Sequence, residues 1–297
     1  MHRQISGVMV ITKNDDAYYH VYTKGLESDT IFREDADYIT GMNYVAILHF
    51  KLCVSVLAFV LMSNHFHFIL RGSKSDVDDF IALYKDMVSR YVRNKYGDKK
   101  ILRRVKTGIS LINDRGERLK ELVAYVLNNP VKAGVNILPQ SYLWGSGGCY
   151  FSNMDTISGA VPIDSMKRRQ QIALLKSNVK LPGTYKVNTY GFIDPKCYVD
   201  YKFVESLFGR ARSMEYFLSV SNRKYAEEAQ VGFSDALLIA ALKELLAKRY
   251  DSISVPELEY DSQLVVVRQL RRQFNCTPKQ IARICGLSLS RVYALLE

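Results

Sequence analysis

Two histidines separated by one residue are the first candidates for chemistry in this chain of 297 residues. In His65-Phe66-His67 a spacing of two puts both imidazoles on the same face of a β-strand and Phe66 on the opposite face. Imidazoles that share a face in this way can chelate a divalent metal ion. Two ordinary histidines on a sheet face would give the same motif, so the spacing alone leaves both interpretations open.

Tyr125 and Asn129 form a second pair with defined geometry. They lie four residues apart in a segment with a helical pattern, so their side chains project from one face of that helix. A phenol ordinarily titrates at about pH 10 and needs nearby cations or a polarised phosphate to act as a nucleophile at neutral pH. The chain has 20 tyrosines, and most tyrosines are core or surface aromatics, so the spacing by itself assigns no role to Tyr125.

The elements that must position these residues follow from the hydrophobic periodicity. Strands are predicted over residues 17–25, 52–62, 65–71 and 100–112. Helices are predicted over 34–50, 77–96 and 117–129, the last ending near Asn129 because a residue that precedes proline is pushed out of the helical region. The order β-α-β-β-α-β-α predicts an α+β fold: a ferredoxin-like antiparallel sheet with helices on one face, followed by an all-α C-terminal region.

The C-terminal segment 277–296 has the pattern of a helix-turn-helix. Thr277 followed by a proline makes a strong helix start, and Gly286 can take the left-handed conformation that ends the helix. Ser288 then caps a second short helix. The helix-turn-helix pattern predicts that Ser288, Ser290 and Arg291 contact DNA. The alternative interpretation is a packed helical tail that binds no DNA.

Charge is strongly biased and unevenly distributed. The net charge of +11 and the sequence pI of about 9.3 suit a polyanionic partner such as nucleic acid. Residues 85–106 hold nine Lys or Arg against two acids, and residues 262–296 hold six basic residues and no acid. Arg103 and Arg104 in the first cluster are therefore candidate DNA contacts, with a solvated helix face as the simpler alternative.

The composition also excludes several classes of protein. The longest nearly apolar stretch, 52–62, is shorter than the roughly 20 residues that span a bilayer, and no secretory signal is recognised, so we expect no membrane association and a cytoplasmic location. The five cysteines are scattered without a C-x-x-C pair, which indicates neither disulfides nor a cysteine zinc site. No nucleotide-binding loop is found, so no nucleotide cofactor is expected.

Two strings of sequence resemble one known family. LMSNHFHFIL, at 61–70, is similar to the signature strand of the HUH single-tyrosine transposases, and in particular of the REP-associated ones. YVLNNPVKAG, at 125–134, is similar to the tyrosine helix of that family and to the run that closes it. The resemblance covers about residues 15–150, while residues 234–297 are similar to a DNA-binding tail of the replication-initiator type.

The resemblance implies an activity and a set of roles. Tyr125 would be the nucleophile, His65 and His67 would be metal ligands, and Asn129 would be the third ligand for a divalent ion, Mg²⁺ or Mn²⁺. The enzyme would cleave and rejoin single-stranded or hairpin DNA through a 5′-phosphotyrosine bond, which conserves the energy of the broken phosphodiester. It would act as a homodimer and would bind duplex DNA through the helix-turn-helix.

The sequence thus divides into three predicted parts: a transposase domain over 1–150, a connector with helices and no assigned role over 151–230, and a helical DNA-binding domain over 231–297. Two other functions stay open. A catalytically idle DNA-binding regulator could keep both the fold and the helix-turn-helix. An RNA-binding ferredoxin-like module would need stacking aromatics exposed on its sheet.

Overall fold

The computed structural model describes residues 4–5, 8–9, 16–23, 30–97, 102, 105–136, 138–152, 159–223, 235–252, 254–274 and 276–297. Its strands are β1 (Gln4–Ile5), β2 (Val8–Met9), β3 (Ala17–Thr23), β4 (Ser55–Met62), β5 (His65–Gly72), β6 (Thr107–Ile112), β7 (Val161–Pro162) and β8 (Lys186–Val187). Its helices are α1 (Asp35–Lys51), α2 (Lys74–Tyr96), α3 (Glu117–Leu127), α4 (Asn129–Lys132), α5 (Arg168–Leu175), α6 (Tyr201–Phe208), α7 (Ala211–Arg223), α8 (Asp235–Arg249), α9 (Tyr260–Gln273), α10 (Pro278–Cys285) and α11 (Leu289–Leu296). None of these helices combines the length and the apolar character needed to cross a membrane.

A four-stranded antiparallel sheet forms the centre of the fold. Its strand order is β4-β5-β3-β6, the ferredoxin-like arrangement in which the first strand of the unit lies between the third and the fourth. All eight residues of β4 are buried, as expected for a strand with both faces covered. The predicted α+β class and its helical C-terminal region are confirmed.

Helices cover both faces of this sheet. On the first face Phe66 and Phe68 of β5 pack against Tyr84 of α2, with ring centroids 5.1 and 5.2 Å away, and α1 packs beside α2. The sequence predicted helices on one face only; α1 and α2 form that layer, and α3 on the other face departs from the prediction. On the opposite face α3 packs against β4 and β5 and brings Tyr125 over His67. Successive side chains of β5 point to opposite faces, so Phe66 and Phe68 lie in the core while His65 and His67 lie on a polar face.

The end of α3 corrects one local prediction. The helix ends at Leu127, and Asn128 has φ −83° and ψ −2°. Asn129 was expected to leave the helical region because Pro130 follows it, but Asn129 instead begins α4, with the proline in the first turn. Proline is tolerated there because the amide that it lacks has no partner within the helix. The chain thus bends at Asn128 and continues as a second helical turn.

Segments after residue 138 complete the core around the sheet. The edge of β4 is covered by an antiparallel bridge from Val60 to Gly145 and by a parallel bridge from Val56 to Val199. Apolar residues of the predicted connector, from Ile163 to Leu218, belong to the same buried cluster as the sheet. A second buried cluster, spanning residues 238–295, is formed by α8 to α11. The division into three domains stays a prediction.

The C-terminal helices have the caps that their sequence predicts. The side chain of Thr277 accepts a hydrogen bond from the backbone amide of Gln280, and that of Ser288 accepts one from Arg291. Gly286 ends α10 with φ 67°, a left-handed conformation that glycine adopts without strain. Two short helices around this turn are consistent with a helix-turn-helix, and DNA binding by them stays a prediction.

Asp235 joins the helical region to the sheet. Its buried carboxylate, at the start of α8, accepts hydrogen bonds from the Ser63 hydroxyl, from Gln280 Nε2 at 2.9 Å and from Arg283 Nε at 2.5 Å. Burial alone would raise the pKa of this carboxyl, but the charge of Arg283 and the donated hydrogen bonds lower it. Ser63 lies in the hairpin turn just before His65, so α8 and α10 are anchored beside the candidate metal ligand.

A second buried carboxylate, Asp37, should dominate the stability of the first helical layer. Its side chain has no exposed surface, and it accepts hydrogen bonds from Lys95 Nζ at 2.5 Å, from Tyr96 Oη at 2.9 Å and from the backbone amide of Arg33 at 2.8 Å. Asp37→Ala would remove the acceptor that these three donors share, while Lys95 would keep its pairing with Glu34 at 2.6 Å, so we expect the free energy of unfolding to fall by about 2 to 3 kcal/mol.

Urea unfolding followed by circular dichroism measures this effect. The matched control is Asp86→Ala, which removes the carboxylate of the exposed Asp86–Arg90 ion pair within α2 and should cost less than about 0.5 kcal/mol. Equal losses for the two variants would show that the Asp37 network contributes no more than a surface pair.

Candidate active site on the sheet

The polar face of the sheet is organised around His67. Register pairs His67 with Tyr22 of β3 and with Val60 of β4, so the side chains of these three residues share a face. Tyr22 lies flat on this face because its neighbour in β6 is Gly108, where a Cβ atom would meet the Tyr22 ring at 2.3 Å. His65, two residues before His67, presents its ring edge to the His67 ring with the centroids 5.2 Å apart.

Tyr125 reaches this face from α3. Its ring meets His67 edge to face, with the centroids 5.6 Å apart, and meets His20 in the same way at 5.8 Å. Helix α3 packs on the sheet through the buried side chains Leu119, Val123 and Val126, whose spacing leaves Tyr125 half-buried at the margin. The nucleophile that the resemblance implies and the two candidate metal ligands therefore converge within a single chain.

Asn129 completes the group. Its Nδ2 donates to the carbonyl oxygens of Tyr125, at 3.0 Å, and of Val126, at 3.2 Å, which leaves the amide oxygen for other partners. It also hydrogen bonds to the side chain of His65. All four residues predicted for catalysis and metal binding thus lie together, and their roles stay predictions.

His20 is a site residue that the sequence-based choice of ligands omitted. Its Nε2 lies 3.1 Å from Nδ1 of His67, and the two rings stack with the centroids 5.3 Å apart. A hydrogen bond at Nδ1 leaves Nε2 of His67 as the nitrogen that can bind a metal ion. The two histidines are 47 residues apart in the chain, so no local spacing connects them.

Burial keeps these imidazoles neutral at pH 7. It lowers the pKa of His20 to about 4, with a contribution from the charge of Arg118, and lowers the pKa of His65 to about 4 against the opposing hydrogen bond of Asn129. Burial and the neighbouring His65 and His20 also hold the pKa of His67 well below its ordinary value. A neutral imidazole is the form that donates a lone pair to a metal ion.

The donor set fits a divalent ion only if it includes the amide. Within the described ranges no group of three His, Cys, Asp or Glu side chains could hold a metal ion. Two neutral imidazoles and the amide oxygen of Asn129 make a mixed nitrogen and oxygen set with open positions, which suits Mg²⁺ or Mn²⁺ and also Zn²⁺. One cation of the protein lies close by, since Lys132 Nζ is 5.7 Å from the centroid of the Tyr125 ring.

A cleft of about 970 Å³ opens beside this group. Its floor is the polar face of the sheet, including His20, Tyr22 and His67, and its walls are α3 and α7. Tyr125 lies where the floor meets the α3 wall. The volume is at the upper end of the about 300 to 1,000 Å³ that is typical of small-molecule sites.

The DNA contacts predicted in the C-terminal segment lie elsewhere. Ser288, the N-cap of α11, and Ser290 in its first turn are exposed, with their hydroxyl oxygens 3.1 Å apart, and do not line the cleft. The guanidinium of Arg291 donates to Gln263 Oε1 at 3.2 Å and lies 4.7 Å from the centre of the Tyr260 ring. Both contacts are with residues of α9. Arg103 and Arg104 lie outside the described residues.

This chain was compared with protein families, curated sequences and solved structures. No protein-family profile and no curated protein sequence matches this chain. Among solved structures it is similar to a REP-associated tyrosine transposase bound to a REP hairpin, with 14% sequence identity and a TM-score of 0.37. That alignment covers 60% of this chain and 95% of the other.

Proposed function

We propose that this protein is a metal-dependent enzyme that cleaves and rejoins single-stranded DNA, a transposase or a relative derived from one, with Tyr125 as its nucleophile. The observation that carries the proposal is the convergence of Tyr125 with His67 in one cleft, with His65 next to His67 and Asn129 next to His65. The two strings that resemble single-tyrosine transposases, at 61–70 and 125–134, supply these four residues and support the same conclusion.

His65, His67 and Asn129 would hold the divalent ion, Mg²⁺ or Mn²⁺. When bound, such an ion would polarise the scissile phosphate and offset its charge. The chain's own residues do the rest of the positioning. Helix α3 holds the Tyr125 ring against His67 and His20, and Lys132 contributes a positive charge next to that ring, where a phosphate would lie.

The reaction exchanges one phosphoester bond for another. The phenolic oxygen of Tyr125 gives up its proton and attacks the phosphorus, and the bond from phosphorus to the 3′ oxygen breaks. That oxygen takes up a proton as a free 3′-hydroxyl, and the 5′ end stays attached to the tyrosine. Rejoining runs the same step in reverse with a new 3′-hydroxyl and regenerates the phenol, so no nucleotide cofactor is consumed.

The DNA partners are proposed from charge and from the two regions whose sequences predict contacts to DNA. Single-stranded or hairpin DNA would lie on the sheet, and duplex DNA would contact the helices of residues 277–296. A net charge of +11 supports binding to both. The resemblance to single-tyrosine transposases implies two active sites for two strand ends, and we propose a homodimer on that ground.

The test is the covalent adduct itself. The purified chain is incubated with 5′-end and internally labelled hairpin oligonucleotides and Mn²⁺, and the products are separated on a denaturing gel. We expect a protein–DNA band, and peptide mapping should locate the nucleotide on Tyr125 and on no other tyrosine. Specific binding of hairpin DNA without any adduct would instead favour a catalytically idle regulator, and stronger binding of RNA would favour an RNA-binding module.

His20 gives a separate prediction about the metal site. His20→Ala removes the partner of His67 Nδ1, so the imidazole loses its fixed orientation, and we expect the affinity for Mn²⁺ to fall by about 10- to 100-fold. Isothermal titration of Mn²⁺ into the full-length chain measures this. His20→Gln, which can still hydrogen bond to Nδ1, should recover part of the loss.

Ser110→Ala is the matched control for this prediction, because Ser110 also lines the cleft and pairs with His20 across the sheet. It should leave the Mn²⁺ affinity unchanged. An unaltered affinity in a folded His20→Ala protein would mean that His20 does not orient the ligand.

A further inference from the structure

Helix α7 contributes a wall of the cleft although its segment has no assigned role. It packs on α3 through Met214 and Leu218, which are buried. The buried Nδ2 of Asn128 donates to the carbonyl oxygen of Leu218 at 2.9 Å, and Lys120 Nζ lies 5.6 Å from the centre of the Phe217 ring. These contacts fix α7 to the helix that carries Tyr125, so whatever α7 presents to the cleft has a defined position relative to that tyrosine.

What α7 presents is an aromatic side chain with little packing of its own. Tyr216 lines the cleft and is 64% exposed, the largest exposed fraction among the large hydrophobic side chains that the structure describes. Tyr22 on the floor offers a second ring, and Leu111 of β6, 55% exposed, offers an apolar surface. Exposed rings that border an open cleft are typical of surfaces on which nucleobases stack.

The charge of this part of the cleft argues against a phosphate as its occupant. Asp114, Glu117 and Glu121 line it together with Arg118, and Arg118 donates to Glu121 Oε2 at 2.8 Å. Lys120, which does not line the cleft, pairs with Glu117 at 2.9 Å, so these ion pairs leave this part of the cleft with no net positive charge in a chain that carries +11 overall. Carboxylates repel a phosphate but accept hydrogen bonds from the amino groups of bases, as they do from the amino group of cytosine.

We propose that the cleft between α3 and α7 binds one unpaired nucleobase of the DNA strand next to the scissile phosphate. The base would stack on Tyr216, and its amino edge would face Glu121 and Asp114, while its phosphate would lie towards Tyr125 and Lys132. Adenine, cytosine and guanine carry an exocyclic amino group and thymine does not, so the cleft would select against thymine at this position. This inference rests on the proposed function and names the part of the substrate that the site reads.

The experiment places 2-aminopurine, a fluorescent base, at successive positions along the single-stranded flank of a hairpin oligonucleotide. On binding to the full-length chain, we expect its fluorescence to be quenched at one position, because stacking on an aromatic ring quenches it. Tyr216→Ala should abolish that quenching and weaken binding by about tenfold, and Tyr216→Phe should preserve both. The control is Tyr190→Ala, which removes a tyrosine of similar exposure, 54%, outside the cleft.

A second measurement tests the amino edge. Thymine at the quenched position should weaken binding by about tenfold relative to cytosine, and Glu121→Gln should reduce that difference. Quenching at no position, or quenching that Tyr216→Ala leaves unchanged, overturns the inference. A covalent adduct formed without such quenching would contradict the inference alone, and quenching without any adduct in the wild-type chain would contradict the proposed chemistry alone.

Discussion

Tyr125→Phe should bind hairpin DNA as well as the wild-type chain does but form no covalent adduct, with strand cleavage slower by about ten-thousandfold or more. The substitution removes one oxygen and keeps the ring. The edge-to-face contacts of that ring with His67, at 5.6 Å, and with His20, at 5.8 Å, should therefore persist and hold α3 in place. The loss would be chemical and not structural.

Single-turnover cleavage on a denaturing gel, together with fluorescence anisotropy for binding, separates the two effects. Tyr190→Phe, at an exposed tyrosine outside the cleft, is the matched control and should cleave at the wild-type rate. Residual adduct in Tyr125→Phe would mean that another residue is the nucleophile. In that event, the half-buried Tyr22 of the same cleft would be the next tyrosine to replace.

Local pattern predicted the parts of the site that lie close together in the chain. A period of two along β5 is enough to put His65 and His67 on one face, and the structure has them there with the Phe66 ring in the core. The spacing of four that related Tyr125 to Asn129 assumed one continuous helix, whereas α3 ends at Leu127 and α4 begins at Asn129. The packing of α3 on the polar face of β5 depends on tertiary contacts, which periodicity does not predict. The resemblance to a known family indicated that Tyr125 and the two histidines would meet.

The remaining features depend on contacts between distant segments. His20 meets His67 because β3 pairs with β5, and nothing in the residues around His20 specifies that register. The wall formed by α7 could not be predicted either, because its amphipathic pattern shows that one face is buried but not which surface buries it. Asn129 illustrates a local rule that was overridden, since packing holds this residue in a helical turn despite the proline that follows.

Replacing both candidate imidazole ligands should have the second largest effect. In the double variant His65→Ala and His67→Ala, we expect strand cleavage to fall by about a thousandfold, because a bound cation contributes several kcal/mol to stabilising the charge on the phosphate. Both histidines are neutral at pH 7, since burial lowers their pKa values, so their loss removes metal ligands without removing positive charge from the DNA surface. Binding of hairpin DNA measured by anisotropy in EDTA should therefore change little.

Metal removal and return distinguish a ligand role from a purely structural one. Wild-type chain in EDTA should cleave as slowly as the double variant, and excess Mn²⁺ should restore the wild type but not the variant. His49→Asn serves as the control, because its imidazole hydrogen bonds to the carbonyl oxygen of Val54 at 3.0 Å and lines no part of the cleft. Its cleavage should recover fully with Mn²⁺. Recovery of the double variant with Mn²⁺ would show that other groups hold the ion and that His65 and His67 only support the sheet. Tyr125 would then remain the proposed nucleophile, but the metal site would no longer lie on the polar face of β5.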